Sequence, residues 1–144
     1  MTGIRNHKEL YDVAIIGGGP TGSQAAFKLA EIGYRVIVFE KKAVFNESVC
    51  CTGIVSQECV TAYQIPESVI YRRAQGASLY SPSGKIVTVN RETPQVAILN
   101  RPAFNALCAQ RAQDAGAEFC YNSEIKNLKH GKNYVTLDVT HKSD

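Results

Sequence analysis

The sequence predicts an α/β fold: a strand–helix–strand unit with parallel strands near the N-terminus, and a β-hairpin further along the chain. Three observations predict it. A short apolar run ends in glycines, a segment with helical spacing of apolar residues follows, and a second apolar run comes within about thirty residues. Two such runs joined by a helix form a right-handed βαβ unit, whose strands are parallel.

The elements of this unit are clear in the sequence. Residues 11–16 (YDVAII) predict a strand buried on both faces, as central parallel strands are. Residues 21–32 predict a helix with alanine and leucine at helical spacing, and Gly33 stands where a C-terminal cap is needed. Residues 35–40 (RVIVFE) predict the second buried strand.

The pattern of predicted elements changes in the middle of the chain. Residues 41–53 read as a loop and 54–63 as a short helix. The β-rich runs 76–80 and 86–89 flank Ser-Pro-Ser-Gly, a turn sequence, so they predict a hairpin. A strand is predicted at 96–99.

A second long helix is predicted from Pro102 to about Ala115, because proline suits the first helical turn and Gly116 provides a stop. Strands at 117–121 and 134–140 follow. The sequence then stops four residues after a strand pattern, and we expect the chain to be a fragment of a longer protein.

Composition excludes several classes of function. The chain has 144 residues, 44% of them hydrophobic and 20% charged, which is typical of one globular domain. A net charge of +3, with no basic run longer than two, does not indicate a nucleic-acid partner. The polar first ten residues lack the apolar core of a signal peptide, so we expect a cytoplasmic location. The five cysteines show no CxxC or paired Cys/His spacing, so no metal site is expected.

The strongest motif is Gly17-Gly18-Gly19-Pro20-Thr21-Gly22, a GxGxxG match placed between the predicted strand and helix. Gly17 permits the tight turn, Gly19 leaves room for a pyrophosphate at the backbone, and Gly22 lets the helix pack closely on the sheet. The helix N-terminus then offers free N–H groups and the positive end of its dipole to phosphates.

Glu40 completes the pattern. It ends the second predicted strand 18 positions beyond Gly22, close to the ~20 that a dinucleotide-binding fingerprint expects. A carboxylate there accepts both hydroxyls of an adenosine ribose and repels a 2′-phosphate, which disfavours NADP. The fingerprint alone does not separate NAD from FAD, because both contain ADP.

The run from Tyr11 to Lys42 resembles the N-terminus of FAD oxidoreductases of the p-hydroxybenzoate hydroxylase type, with a Rossmann-like FAD-binding domain. Three later stretches resemble the geranylgeranyl reductases of that group. They are Cys51-Thr52-Gly53, the hairpin GASLYSPSG, and NRPAFN followed by AGAE. The residue before the cysteine departs from the family, which has Arg or Pro where this chain has Cys50.

The resemblance implies roles for particular residues. Gly17, Gly19, Thr21 and Gly22 would hold the pyrophosphate, and Glu40 the adenosine ribose. Arg101 would reach the phosphates or the ribityl chain, Ile125 would contact adenine through its backbone, and Cys51 and Thr52 would lie near the flavin ring. Cys51 is also the one candidate catalytic side chain. The full set implied at the cofactor is Gly17, Gly18, Gly19, Pro20, Thr21, Gly22, Glu40, Lys41, Cys51, Thr52, Arg101 and Ile125.

The same resemblance implies the domain organisation and the activity. Residues 1–75 and 95–144 would form an FAD-binding domain, incomplete at its C-terminus, and the hairpin 76–94 would begin a substrate domain. The activity implied is FAD-dependent reduction of carbon–carbon double bonds in a geranylgeranyl or polyprenyl substrate. The electron donor would be external, NAD(P)H or ferredoxin, and a lipid substrate would bring the protein to the membrane periphery.

Two alternatives stay open on the sequence. One is a flavin monooxygenase of the same fold, acting as a hydroxylase, epoxidase or halogenase. The other is a non-catalytic module that binds ADP or FAD. We expect the fragment alone to be inactive and to retain flavin weakly.

Overall fold

The computed structural model of the chain describes residues 10–45 and 50–141. They divide into two compact units. The first comprises the described residues of 1–47 and 105–144, and the second those of 48–104.

The first unit begins with the predicted βαβ arrangement. Strand β1 (Val13–Ile16) is followed by helix α1 (Pro20–Glu31) and strand β2 (Val36–Phe39), and β1 and β2 pair in parallel, Val13 opposite Val36. Gly33 has a φ of +91° just after α1, which favours glycine there. This part of the predicted fold class is confirmed.

The expected burial of the first strand on both faces was wrong. Val13 and Ile15 are half-buried, whereas Ile16 is 60% exposed. β2 is the strand covered on both sides, with Val36, Ile37 and Val38 all buried. It lies between β1 and a third parallel strand, and Val36 and Val38 share a buried cluster with Ala26 and Ala112.

The second unit starts with a correction. The predicted helix 54–63 is a strand followed by a shorter helix, β3 (Ile54–Ser56) and α2 (Gln57–Ala62). The Ser56 hydroxyl accepts the Cys59 N–H at 3.2 Å and caps α2. The helix therefore begins after this serine, and the β-branched pair before it joins a sheet.

That sheet contains a strand the sequence analysis missed. β4 (Ile70–Ala74) follows a short 3-10 helix, Glu67–Val69. The next elements are the predicted hairpin, β5 (Gly76–Tyr80) with β6 (Ile86–Asn90), and the predicted strand β7 (Val96–Leu99). β7 lies between β3 and β4 and is antiparallel to both.

The hairpin β5–β6 pairs with no other described strand. The assignment of residues 76–94 to the start of a substrate domain, with 1–75 and 95–144 as the FAD domain, stays a prediction.

The remaining elements follow helix α3 (Arg101–Asp114), which begins in the second unit and continues into the first. Strand β8 (Glu118–Cys120) pairs with β2 in parallel, giving the order β1-β2-β8. β9 (Ser123–His130), a strand that was not predicted, forms an antiparallel hairpin with β10 (Val135–His141).

The core of the first unit lies against the parallel sheet. Ala26 of α1 and Ala112 of α3 share one buried cluster with Val36 and Val38 of β2. Small helix residues let both helices approach the sheet closely. This packing fixes the N-terminal end of α1 beside the C-terminal ends of β1 and β2.

Candidate functional site

The glycine loop connects the end of β1 to the first turn of α1. Gly17 has a φ of +101°, and its N–H donates to the Phe39 carbonyl of β2 at 2.8 Å. A Cβ on Gly22 would lie 2.0 Å from the Gly17 carbonyl oxygen. Both positions therefore require glycine, one for its backbone conformation and the other for a close backbone approach.

Gly19 is different, because it is the N-cap of α1 with an ordinary φ of −65°. A Cβ built on it meets no atom within 4 Å. The space over this residue is open, and the helix N-terminus behind it carries N–H groups without intrahelical partners. This is the arrangement that admits an anion to the backbone.

Glu40 follows β2 directly and is only 8% exposed. Its Oε2 accepts the Gly18 N–H at 2.8 Å and its Oε1 accepts the Lys42 N–H at 2.9 Å. The structure thus brings together the two parts of the predicted fingerprint. Each carboxylate oxygen has a second lone pair, so Glu40 retains the capacity to accept sugar hydroxyls.

Ser23 is a residue that the sequence analysis missed. It lies in the first turn of α1, is fully buried, and its hydroxyl donates to the Gly18 carbonyl at 2.8 Å. A signal existed, because Ser23 stands three positions before Ala26 on the apolar side of the helix. A hydroxyl on a buried helix face needs a specific partner.

An aromatic group surrounds Gly18 and Glu40, and it was also missed. A Cβ on Gly18 would lie 3.2 Å from Phe119 and 3.3 Å from Phe45, and Phe45 meets Tyr121 edge-on with 5.8 Å between ring centroids. Burial raises the pKa of the Tyr121 hydroxyl, and the charge of Glu40 raises it further. These rings shield the loop and the carboxylate from water on one side.

Four further predicted residues belong to the first unit. Thr21 is exposed in the first turn of α1, after Pro20 at its start, and Lys41 is exposed beside Glu40. Ile125 lies in β9, half-buried and opposite Val139. β9 is joined to the site because the Ser123 N–H donates to the Glu40 carbonyl at 2.9 Å.

Cys51, Thr52 and Arg101 belong to the second unit. Cys51 and Thr52 are exposed, and the neighbouring Cys50 is an exposed free thiol as well. Gly53 is buried with a φ of +71°, and a Cβ there would lie 2.7 Å from the Leu99 carbonyl and 3.1 Å from Cγ of Arg101. The glycine after Cys51 and Thr52 therefore packs against the start of α3.

The residues of the first unit fit an adenosine diphosphate group. Backbone N–H groups and an open glycine position suit a pyrophosphate, and the buried carboxylate suits a ribose. Among the described residues, no group of three or more His, Cys, Asp or Glu side chains is placed to hold a metal ion. Within 10–45 and 50–141, no helix is long and apolar enough to span a bilayer.

Comparison with known proteins agrees with this geometry. The model of the family described as FAD dependent oxidoreductase matches residues 12–83. A digeranylgeranylglycerophospholipid reductase of Methanocaldococcus jannaschii is 33% identical over 137 residues, which cover 94% of this chain and 35% of that protein. The chain therefore spans about a third of the length of this curated relative.

Two solved structures are also similar to this chain. A geranylgeranyl bacteriochlorophyll reductase-like protein from Thermoplasma acidophilum superposes with a TM-score of 0.81 at 28% identity, covering 93% of this chain and 36% of its own. Halogenase PltM in complex with phloroglucinol and FAD gives a TM-score of 0.68 at 20% identity, over 92% of this chain and 32% of the halogenase, and so shares the fold alone. Since the family model covers half of the sequence and the fold and glycine loop agree with it, the chain belongs to the FAD-dependent oxidoreductases.

Proposed function

We propose that this chain is the ADP-binding part of an FAD-dependent reductase that saturates carbon–carbon double bonds in a geranylgeranyl or polyprenyl substrate. The observation that carries the cofactor assignment is the Gly18 N–H bond to the buried Glu40 carboxylate, beside the open position at Gly19. The names of the reductases that the chain resembles support the substrate class.

The roles proposed for the first unit rest on the resemblance, and the geometry of the glycine loop and of Glu40 supports them. Gly17, Gly19, Thr21 and Gly22, with Gly18 and Pro20 between them, hold the pyrophosphate on the N-terminus of α1. Glu40, with Lys41 beside it, binds the ribose. The Ile125 backbone contacts adenine from β9. A 2′-phosphate is disfavoured because it would meet the buried carboxylate of Glu40.

The roles proposed for the second unit rest on the resemblance and on the chemistry of the side chains. Arg101 has a permanently charged, forked donor suited to phosphate or ribityl oxygens. Cys51 and Thr52 lie near the flavin, and Cys51 remains the candidate catalytic side chain. When bound, FAD supplies the hydride chemistry, and the chain's own residues bind and orient it.

The proposed partners are FAD, an isoprenoid lipid or other small-molecule substrate, and an external electron donor such as NAD(P)H or ferredoxin, with no nucleic acid. The proposed location is the cytoplasm, with peripheral contact to the membrane that would supply a lipid substrate.

The absorbance spectrum and nucleotide affinities of the purified chain test the cofactor assignment. We expect ADP to bind measurably and NADP⁺ to bind less tightly than NAD⁺ in calorimetry. We expect FAD to be lost on dialysis, because the chain spans about a third of the relative's length. A chain that binds none of these nucleotides contradicts the proposal, and stoichiometric FAD after dialysis contradicts the expected weak retention.

The reaction type needs the flavin-loaded full-length protein. A reductase saturates geranylgeranyl diphosphate with electrons from the donor and consumes no oxygen. Rapid reoxidation of the flavin by oxygen, with a hydroxylated, epoxidised or halogenated product, would replace this proposal by the monooxygenase alternative.

A further inference from the structure

Ser23 is a fully buried polar residue of the first unit that the proposed binding roles leave unused. It follows Gly22 in the first turn of α1, where its side chain is turned back toward the loop. Its hydroxyl donates to the Gly18 carbonyl at 2.8 Å, and its N–H donates to the Gly19 carbonyl at 2.8 Å. Ser23 therefore binds two consecutive carbonyls of the glycine loop.

The Gly18 residue is held from both sides. Its N–H donates to Glu40 at 2.8 Å, while its carbonyl accepts from Ser23. Glycine has the widest choice of backbone conformations, so a glycine loop without such bonds would sample many arrangements. These two side chains select one of them.

The orientation of the next amide follows from the geometry of the peptide bond. The bond between Gly18 and Gly19 is trans, and in a planar trans peptide the C=O and the following N–H point in opposite directions. Because Ser23 fixes the Gly18 carbonyl toward α1, the Gly19 N–H is directed away from Ser23. No described residue accepts this N–H, and the space over Gly19 is open.

We propose that Ser23 is a positioning residue that aims the Gly19 amide at the pyrophosphate. The inference rests on the proposed ADP-binding function and adds a residue that contacts no ligand itself. A packing role alone would be met by alanine, which fills nearly the same buried volume. The hydroxyl is what distinguishes the two roles.

The experiment compares Ser23→Ala with Thr61→Ala in the whole chain. Thr61 is the control, because its hydroxyl also donates to a backbone carbonyl, that of Gln57 at 3.1 Å, and because it lies in α2 of the second unit, outside the residues proposed to bind the cofactor. Calorimetry gives the affinity for ADP and for adenosine, which lacks the phosphates. We expect Ser23→Ala to weaken ADP by about 5- to 10-fold, the value of one hydrogen bond, with adenosine unchanged. Thr61→Ala should leave the ratio of ADP affinity to adenosine affinity unchanged.

The amide signal of Gly19 gives a second readout. In ¹H–¹⁵N spectra it should shift on addition of ADP to the wild type, and shift less in Ser23→Ala. If Ser23→Ala does not fold, Ser23→Cys, with a weaker donor of similar size, should still weaken ADP while leaving adenosine affinity unchanged, and an unchanged ADP affinity would overturn the positioning role.

The outcomes separate the two proposals. A wild-type chain that binds ADP no better than adenosine overturns the phosphate site, and the role of Ser23 with it. A wild type that prefers ADP, together with a Ser23→Ala variant of unchanged preference, overturns the positioning role alone.

Discussion

The N–H of Gly18 donates to the Glu40 carboxylate at 2.8 Å, so the residue that follows β2 is bonded to the loop that follows β1. Glu40 is therefore a structural part of the glycine loop as well as the proposed ribose acceptor. Its removal should affect stability and binding together.

Replacing Glu40 with Ala should destabilise the chain by about 1–3 kcal/mol, because the buried Gly18 N–H loses its acceptor. ADP affinity should fall as well. Urea unfolding and calorimetry measure the two effects. Glu40→Gln, which keeps one acceptor oxygen, should lie between the wild type and Glu40→Ala. An alanine variant with wild-type ADP affinity would contradict the assignment of Glu40 to the ribose.

Gly19→Ala should mainly weaken ADP binding, whereas Gly22→Ala should mainly lower the stability of the fold. A methyl group on Gly19 meets no atom within 4 Å and its φ is −65°, so the loss of stability should stay within about 1 kcal/mol, the cost of alanine at an N-cap. The methyl group occupies the space proposed for the pyrophosphate, so ADP affinity should fall.

Gly22→Ala would put Cβ 2.0 Å from the Gly17 carbonyl oxygen. Such overpacking should cost about 1–3 kcal/mol, seen as a lower urea concentration at the midpoint of unfolding.

If Gly19→Ala binds ADP like the wild type, the pyrophosphate does not approach Gly19.

Gly53→Ala tests the close approach of the backbone in the second unit. The variant combines a φ of +71° with a Cβ 2.7 Å from the Leu99 carbonyl. Gly84→Ala is the matched control, since its φ is +81° but its Cβ meets nothing within 4 Å. The control should lose about 1–2 kcal/mol from backbone strain alone, and Gly53→Ala should lose more. Equal losses in urea unfolding would show that contact with Leu99 and Arg101 adds nothing.

The free energy of unfolding should fall at alkaline pH, partly because Cys120 at the end of β8 and the adjacent Tyr121 ionise. Burial, and then the charge of Glu118, raise the pKa of the Cys120 thiol, and burial, followed by Glu40, raises the pKa of Tyr121. Both groups are neutral acids, so a raised pKa in the folded state stabilises the protein below the pKa of the unfolded chain. That contribution is lost as the pH rises through the folded values, above the ordinary values of about 8.5 for Cys and about 10 for Tyr.

The measurement is the slope of unfolding free energy against pH over this alkaline range. A double variant, Cys120→Ala with Tyr121→Phe, should lose less stability as the pH rises. Tyr80→Phe is the control, because Tyr80 is 73% exposed, and it should keep the wild-type slope. A wild-type slope in the double variant would show that these two groups do not determine the loss.

Elements were predictable from the sequence where several local signals agreed. The glycines after an apolar run, the alanine-rich helix and the acidic residue at the end of the next strand each obey a short-range rule, and β1, α1 and β2 lie within two residues of their predicted bounds. The turn Ser-Pro-Ser-Gly likewise located the β5–β6 hairpin. β4 and β9 were not predicted, because their mixed polar sequences become strands through pairing with β7 and β10.

By itself, then, the sequence determined the cofactor-binding pattern, because glycine at a turn and a carboxylate at a strand end are set by backbone conformation and chain spacing. Only the tertiary structure decided how that pattern is held. Glu40 and Ser23 lie 17 positions apart in the sequence, yet both bond to Gly18. The parallel pairing of β1 with β2 and the packing of α1 on the sheet bring their side chains to the same residue, and no local rule specifies such a meeting.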